Sequence, residues 1–245
     1  RATHFSLYER EQILVDRVRT ASGAVALVLL AQVGDRNALP LAVRANRPDV
    51  VTALLDRDIA AAAVDDPCAM LLDAAGRNAD IVSALLREGL DPNCHATQPA
   101  WRHGVTPLVV AASVSRASML WSIDHGLSVG PAADPVAIVE ALIAAGARVD
   151  DTDVFGTTAL SHAVRINNVD VARALLAAGA NVDNMVEADY GRDRGSTLLM
   201  AAVFWYPLFN DVSMLELLLE HGANVNYRNP LRFPDGCGPV GVFHW

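Results

Sequence analysis

The stretch DVARALLAAGANVD, residues 170–183, recurs with variations at three other places in this chain. The aligned stretches are DIVSALLREGLDPN at 80–93, AIVEALIAAGARVD at 137–150 and SMLELLLEHGANVN at 213–226. The same position of every copy holds a glycine, and these glycines are Gly89, Gly146, Gly179 and Gly222. Internal repetition of this kind predicts an array of similar structural units.

Each copy predicts one short helix and its end. Val171, Leu175 and Leu176 recur at helical spacing, and the glycine that follows suits a left-handed C-cap. The next residues, from Ala180 to Asp183, are too few for a helix and rich in turn formers. The pattern therefore predicts a helix that exits into a tight hairpin.

A second, shorter helical pattern lies upstream, as GVTPLVVAA at 104–112, GTTALSHAV at 156–164 and GSTLLMAA at 195–202. A hydroxyl at the helix start and small alanines along it predict a thin inner helix that a neighbour can approach closely. The combination resembles the ankyrin-repeat family, whose unit is a turn and two antiparallel helices with a T-P-L-H-x-A signature and a period of about 33 residues. The resemblance covers nearly all of the chain.

The resemblance implies an all-α fold: an ankyrin-repeat solenoid of about five helix-turn-helix repeats with hairpin loops, plus a capping helix pair at the N-terminus. Residues 7–33 are expected to form that pair, with a charged outer side, within a capping segment 1–36. The array then spans 37–245, and because an inner helix begins near its end, the chain is expected to be a segment of a longer protein. The expected repeats are about 37–66, 67–104, 105–156, 157–195 and 196–234, with a partial repeat at 235–245.

Aligning the units on their Thr and Asp slots makes the match testable. The slot pairs are Asn37 and Asp49, Cys68 and Asp80, Thr106 and Ala137, Thr158 and Asp170, and Thr197 and Ser213. Three units share one spacing, and the third and fifth units carry insertions between their helices. The family's His slot holds Pro40, Leu71, Val109, Ser161 and Met200. The usual Thr to His hydrogen bonds are therefore expected to be absent.

The insertion after Thr106 allows two interpretations. Residues 119–126 either form an outer helix of their own, or they prolong the inner helix that begins at Thr106. The second is favoured, because Pro135 suits the first turn of a later outer helix and Gly146 restores the register.

Composition predicts a folded, elongated domain. The 245 residues are 52% hydrophobic with a formal net charge of −9, and the run Ala24 to Val33 is too short to span a bilayer. The acidic balance disfavours nucleic acid and suits a cationic protein partner, although solubility alone is the more heavily weighted explanation of the charge. All 19 basic side chains are arginine, and alanine is abundant, which is typical of a GC-rich bacterial genome.

Three cysteines cannot all pair, and Cys68, Cys94 and Cys237 lie far apart in the repeat map. Because Cys68 occupies a Thr slot, free thiols in a reducing compartment are predicted, and hence a cytoplasmic location. The chain does not begin with Met, so a removed signal peptide stays an open alternative.

Candidate chemistry is confined to one hairpin. Cys94, His95 and His103, with Asp91, are the residues that could form a metal site or a Cys/His nucleophile pair. Their spacing matches no closed zinc pattern, so a structural role is strongly favoured. His162 is expected to be a hydrogen-bonded residue of an inner helix. No catalytic residue, cofactor or metal is expected.

Aromatic residues indicate where a partner binds. Of 14 aromatics, only Phe5 and Tyr8 precede residue 100, and this asymmetry coincides with the insertions. The resemblance implies that hairpin tips and the inner-helix face form a concave partner surface, and Trp, Tyr and Arg are frequent interface hot spots. The expected partner-binding residues are Trp101, Arg102, His103, Asp151, Asp153, Phe155, Tyr190, Arg192, Arg194, Trp205, Tyr206, Tyr227, Arg228 and Phe233. For Trp205 and Tyr206, packing within the insertion is an equally weighted alternative.

The leading hypothesis is a non-catalytic protein-protein interaction module, of bacterial origin and monomeric on its own, which binds and inhibits a basic toxin or enzyme. No nucleic acid and no membrane are expected as partners. The alternative is a scaffold or targeting domain of a larger protein. A third, with little weight, is a hydrolase that uses Cys94, His95 and His103.

Overall fold

A computed structural model describes residues 7–57, 61–95, 104–114, 134–153, 156–186 and 195–227. Most of this length is helical. The helices are α1 (Leu7–Thr20), α2 (Gly23–Ala31), α3 (Asp35–Arg44), α4 (Pro48–Leu55), α5 (Pro67–Ala75), α6 (Ala79–Arg87), α7 (Pro107–Ser113), α8 (Pro135–Ala144), α9 (Ala159–Arg165), α10 (Val169–Ala177), α11 (Leu198–Phe209) and α12 (Ser213–Glu220). A 3-10 turn covers Ala61–Ala63, and two short strands, β1 (Met185–Val186) and β2 (Ser196–Thr197), form an antiparallel pair.

The helices stack in two parallel rows. Odd-numbered helices form the inner row, in which each packs on the next from α1 to α11, and even-numbered helices form the outer row in the same way. Each inner helix also packs on its own outer helix. The expected all-α solenoid is confirmed, and within the described residues it comprises six helix pairs.

One apolar core runs through all six pairs. Every unit contributes large side chains that are fully buried. They are Leu30, Leu39, Leu71, Leu72, Ile81, Leu85, Leu108, Ile138, Leu142, Leu160, Leu175 and Leu198. Because each unit buries its face against its neighbours, stability depends on contacts between successive units.

The predicted glycine caps are present at the ends of α6, α8, α10 and α12. Gly179 has φ +90°, its N–H donates to the Leu176 carbonyl at 3.0 Å, and the Ala180 N–H donates to the Leu175 carbonyl at 3.0 Å. This is the Schellman arrangement, in which a left-handed residue closes two hydrogen bonds onto the last helical turn. The same two bonds recur at Gly89, Gly146 and Gly222.

Three of the five Thr slots begin an inner helix as expected. Thr106, Thr158 and Thr197 are N-caps whose hydroxyls accept hydrogen bonds from the backbone N–H three residues on. In the second unit the helix begins earlier, because Pro67 suits a first helical position and Asp66 Oδ1 accepts a hydrogen bond from Ala69 N at 2.9 Å. Cys68 therefore lies in the first turn of the helix rather than at its N-cap.

The favoured interpretation of residues 119–126 is wrong. Helix α7 ends at Ser113 and Val114 is extended, so no single helix runs from Thr106 into that segment. The Ser113 hydroxyl donates to the Val110 carbonyl at 2.8 Å and so competes with the helical hydrogen bond that would continue α7. Pro135 does open α8, after the N-cap Asp134, whereas residues 115–133 lie outside the described part.

The N-terminal helix pair is attached to the array by Arg47. Its guanidinium donates to the carbonyls of Val18 (2.9 Å) and Ala21 (2.6 Å) and forms a bidentate pair with Asp49, at 2.8 and 2.7 Å. Hydrogen bonds from Arg47 lower the pKa of Asp49 below its usual value. One residue of the first repeat thus provides hydrogen-bond donors for backbone carbonyls at the C-terminal end of α1.

The expected charged outer side holds for α1 but not for α2. Arg10, Asp16 and Arg17 of α1 are exposed. In α2, however, Val25 and Val28 are 51% and 62% exposed. The sequence GAVALVLLA carries no charged residue, so whichever face of α2 turns to solvent is apolar.

Candidate partner-binding surface

Neighbouring hairpins are joined by a ladder of side-chain to backbone hydrogen bonds. Asn93 Oδ1 accepts from Arg148 N at 2.7 Å, Asp150 Oδ1 from Asn181 N at 3.0 Å, and Asp183 Oδ1 from Asn224 N at 2.9 Å. All three acceptors occupy the same position of the repeat. The final Asp or Asn of the first three copies therefore fixes the spacing of the next hairpin.

A second Asx position stabilises three of the four turns internally. The side-chain oxygens of Asp91, Asn181 and Asn224 accept hydrogen bonds from the backbone N–H two residues on, at 2.8 to 3.0 Å. Arg148 stands at this position in the α8 hairpin and instead forms an ion pair with Asp151 at 2.9 Å. The Asn and Asp residues of the repeat thus have two distinct structural roles.

Asp150→Ala is expected to loosen this ladder and lower the free energy of unfolding by about 1 kcal/mol. The substitution removes the acceptor for Asn181 N and for Asn184 Nδ2. Urea melts measure the loss. Glu140→Ala, which removes an exposed carboxylate from α8, is the matched control and is expected to be close to neutral. Equal effects of the two variants would contradict a structural role for the ladder.

The two ends of the hairpin between α10 and α11 are joined by the β1–β2 pair. Met185 pairs with Thr197 and Val186 with Ser196, so the two ends of the insertion lie side by side. Tyr190, Arg192 and Arg194 fall between these strands and lie outside the described residues. Trp101, Arg102, His103, Phe155, Arg228 and Phe233 also lie outside them.

Asp153 is placed differently from its expected position on an exposed surface. It is 8% exposed, its Oδ1 accepts from Thr157 N at 2.9 Å, and its Oδ2 lies 3.5 Å from His162 Nε2. His162 is 5% exposed, and its Nδ1 lies 3.0 Å from Arg165 Nη2. Asp153 therefore closes the hairpin onto α9, and we leave it out of the partner surface. His162 is the hydrogen-bonded inner-helix residue that the sequence predicts.

Asp151 and Tyr227 remain accessible. The Asp151 side chain is 25% exposed in its pair with Arg148. Tyr227 is half-buried, and its hydroxyl donates to Met185 Sδ at 2.9 Å. The last hairpin therefore contacts strand β1 of the previous one. These contacts place both residues on the side of the array formed by the hairpins.

The insertion after Thr197 is accommodated by a longer inner helix. Helix α11 has 12 residues, against seven in α9. Trp205 and Tyr206 lie on this extension, and their side chains lie outside the described part of the chain. Phe204 and Leu208, one turn apart, are 52% and 70% exposed. The extension thus presents an apolar surface at the C-terminal end of the inner row.

The prediction of free thiols at Cys68 and Cys94 is wrong. The two residues form a disulfide with their Cα atoms 5.8 Å apart, 26 residues apart in sequence. Cys68 lies in the first turn of α5, and Cys94 lies at the end of the hairpin after α6. Because α5 packs against α6, the two residues are close in space. Aligning the repeats did not predict this disulfide, because the alignment gives only the separation of the two cysteines along the chain. The thiol argument for a cytoplasmic location no longer holds.

Pairing also changes the candidate chemistry. While Cys94 is bonded to Cys68 it has no thiolate to act as a nucleophile or metal ligand. Among the described residues, which include Cys94 and His95 but not His103, no group of three or more His, Cys, Asp or Glu side chains is arranged to hold a metal ion.

Comparison with known proteins agrees with the geometry. A family model of ankyrin repeats matches residues 132–229 in three copies. Residues 132–229 are therefore similar to ankyrin repeats. The matched region covers α8 to α12, and the ankyrin-like stacking continues through α1 to α7. No curated protein matches the chain.

Ankyrin repeats are a protein-protein interaction module, and such domains are generally non-catalytic. Within the described residues, no helix is both long and apolar enough to cross a membrane.

Proposed function

We propose that this ankyrin array binds one protein partner through its inner-helix face and its hairpin tips. The observation that carries the proposal is the ladder that joins Asn93, Asp150 and Asp183 to the following hairpins. It fixes the hairpins relative to one another, and a pre-organised surface loses less conformational entropy on binding. The lengthened hairpins that carry Trp101, Tyr190 and Arg228 then supply aromatic and arginine anchors.

A sharper form of the proposal is that the array inhibits a basic toxin or enzyme of a bacterium by covering its active surface. The formal charge of −9 supports a cationic partner, because opposite charge accelerates association and disfavours acidic competitors. Individually altered slots, such as Pro40 and Met200 in place of His, support specialisation of single units for one partner.

Trp101→Ala, Tyr190→Ala and Tyr227→Ala are each expected to weaken partner binding, and at least one of them by about 2 kcal/mol or more. Folding should change little, because hairpin tips contribute little to the core. Titration against the purified partner measures the loss, and thermal melts check the fold. Val28→Ala, on the exposed face of α2, is the control and should leave affinity unchanged. Unchanged affinity in all three aromatic variants would contradict the placement of the site.

A pull-down from the native source separates the remaining alternatives. Capture of a single toxic enzyme whose activity the array suppresses supports inhibition. A set of unrelated proteins supports a scaffold or targeting domain of a larger polypeptide. The hydrolase alternative requires a thiolate at Cys94, so it predicts activity that appears with reductant and is lost in Cys94→Ser.

A further inference from the structure

The Cys68–Cys94 disulfide lies next to the first bond of the hairpin ladder. Cys94 directly follows Asn93, whose side chain makes two bonds to the next hairpin. Asn93 Oδ1 accepts from Arg148 N at 2.7 Å, and Asn93 Nδ2 donates to the Gly146 carbonyl at 3.1 Å. Asn93 is thus hydrogen-bonded to the hairpin that follows α8, while its chain neighbour is bonded covalently to α5.

The disulfide restricts the turn that presents Asn93. Within this turn, the Asn93 N–H donates to Asp91 Oδ1 at 2.8 Å and the Cys94 N–H to the Asp91 carbonyl at 3.3 Å. Because Asp91 is exposed, bonds of this kind open readily in water. Cys68, in contrast, belongs to α5, which packs on α3, α6 and α7. The disulfide therefore ties the end of the turn to the packed inner row and lowers the entropy cost of the Asn93 bonds.

The ladder provides its own comparison, because only its first bond lies beside a disulfide within the described residues. We call the bond from Arg148 N to Asn93 the first rung, that from Asn181 N to Asp150 the second, and that from Asn224 N to Asp183 the third. The other three copies of the repeat have no cysteine where the first has Cys94. The aligned residues are Asp151, Asn184 and Tyr227.

A reductant can reach the disulfide. Cys68 and Cys94 pack against the core but are only half-buried. One thiolate of a small dithiol attacks one cysteine sulfur and displaces the other as a thiolate, which takes up a proton. The second thiolate of the reagent then attacks the mixed disulfide and displaces the remaining cysteine. The dithiol leaves as a cyclic disulfide, so it supplies both electrons, and the protein retains two thiols.

We propose that the Cys68–Cys94 disulfide is a redox switch for the first rung. Reduction by a dithiol releases the end of the turn from α5 and weakens the bonds of Asn93 to the hairpin after α8. The hairpins of these two units then lose their fixed spacing, and affinity for the partner falls. Only this last step rests on the proposed function, because the effect on the ladder needs no partner.

Amide hydrogen exchange of the free protein, with and without dithiothreitol, tests the switch. We expect reduction to speed exchange at Arg148 N by about tenfold or more, because the bond that restricts its acceptor is lost. Asn181 N and Asn224 N, the donors of the second and third rungs, should change much less. An unchanged rate at Arg148 N would overturn the inference. An equal increase at all three amides would also overturn it, because the disulfide would then stabilise the array without acting on the first rung.

A redox titration gives the reciprocal test, because two coupled equilibria affect each other by the same factor. Asn93→Ala should make the disulfide easier to reduce, by the factor found at Arg148 N, about tenfold or more. The shift is measured in the ratio of reduced to oxidised dithiothreitol at half reduction. A Cys237→Ser background keeps the third cysteine out of the exchange.

Asp150→Ala is the matched control for the titration. It removes the second rung, as Asn93→Ala removes the first, and its midpoint should stay close to that of the parent protein. The comparison holds even if reduction unfolds the chain, since a general loss of stability would shift both midpoints alike. Equal midpoints in the two variants would overturn the inference. Both measurements use the free protein, so their outcome is independent of the pull-down that tests the proposed function.

Discussion

Leu175→Ala should lower the free energy of unfolding by about 2–5 kcal/mol, the usual range for a large-to-small change in a packed core. Leu175 is fully buried in α10, which packs on α8, α9 and α12, so the cavity would affect three contacts at once. Urea melts followed by circular dichroism measure the change. In a repeat array, a weakened unit can also make the repeats on its two sides unfold in separate transitions.

Gly179→Ala, just after the C-terminal end of the same helix, serves as the matched comparison, and it should destabilise by a smaller amount, about 1 kcal/mol. An added Cβ would meet no atom within 4 Å, so the effect comes from the left-handed backbone at φ +90° alone. If both substitutions prove neutral, the register of the repeat is wrong. If the glycine change is the more damaging, the hairpin has neighbours that the structure does not show.

Loss of the Cys68–Cys94 disulfide is expected to cost about 3–4 kcal/mol of stability. The bond closes a loop of 26 residues, and the estimate follows from the chain entropy that such a loop removes from the unfolded state. Reductant should therefore lower the melting temperature of the parent protein. The variant Cys68→Ser with Cys94→Ser should melt at the lower temperature with or without reductant.

A thiol count provides the check on this prediction. With three cysteines in the chain and one disulfide, the unfolded protein should expose one reactive thiol before reduction and three after it. Three reactive thiols in protein purified without reductant would contradict the pairing. They would also restore the argument for a reducing compartment.

The repeat pattern predicted most of the helical stack because its signals are local. Gly179 requires a left-handed conformation, Thr158 caps a helix start, and the apolar spacing of α10 identifies its buried face. Each of these depends on residues within one turn of one another. The same local logic placed Pro135 at the start of α8.

Contacts between residues distant in sequence were beyond that logic. The disulfide joins Cys68 and Cys94 within one repeat, through the packing of α5 against α6, and the burial of Asp153 depends on His162 of the next helix. Such contacts depend on how the helices and hairpins pack in space, which the spacing of one repeat does not encode.

The surface that contacts the partner is the central claim, and hydrogen exchange of the complex tests it most directly. With the captured partner bound, we expect added protection at the ends of α5, α7, α9 and α11 nearest the hairpins, and in the hairpins that contain Asp150 and Asp183. Outer helices such as α6 and α10 should exchange as they do in the free protein. Protection confined to the outer row, with the hairpins unchanged, would contradict the account.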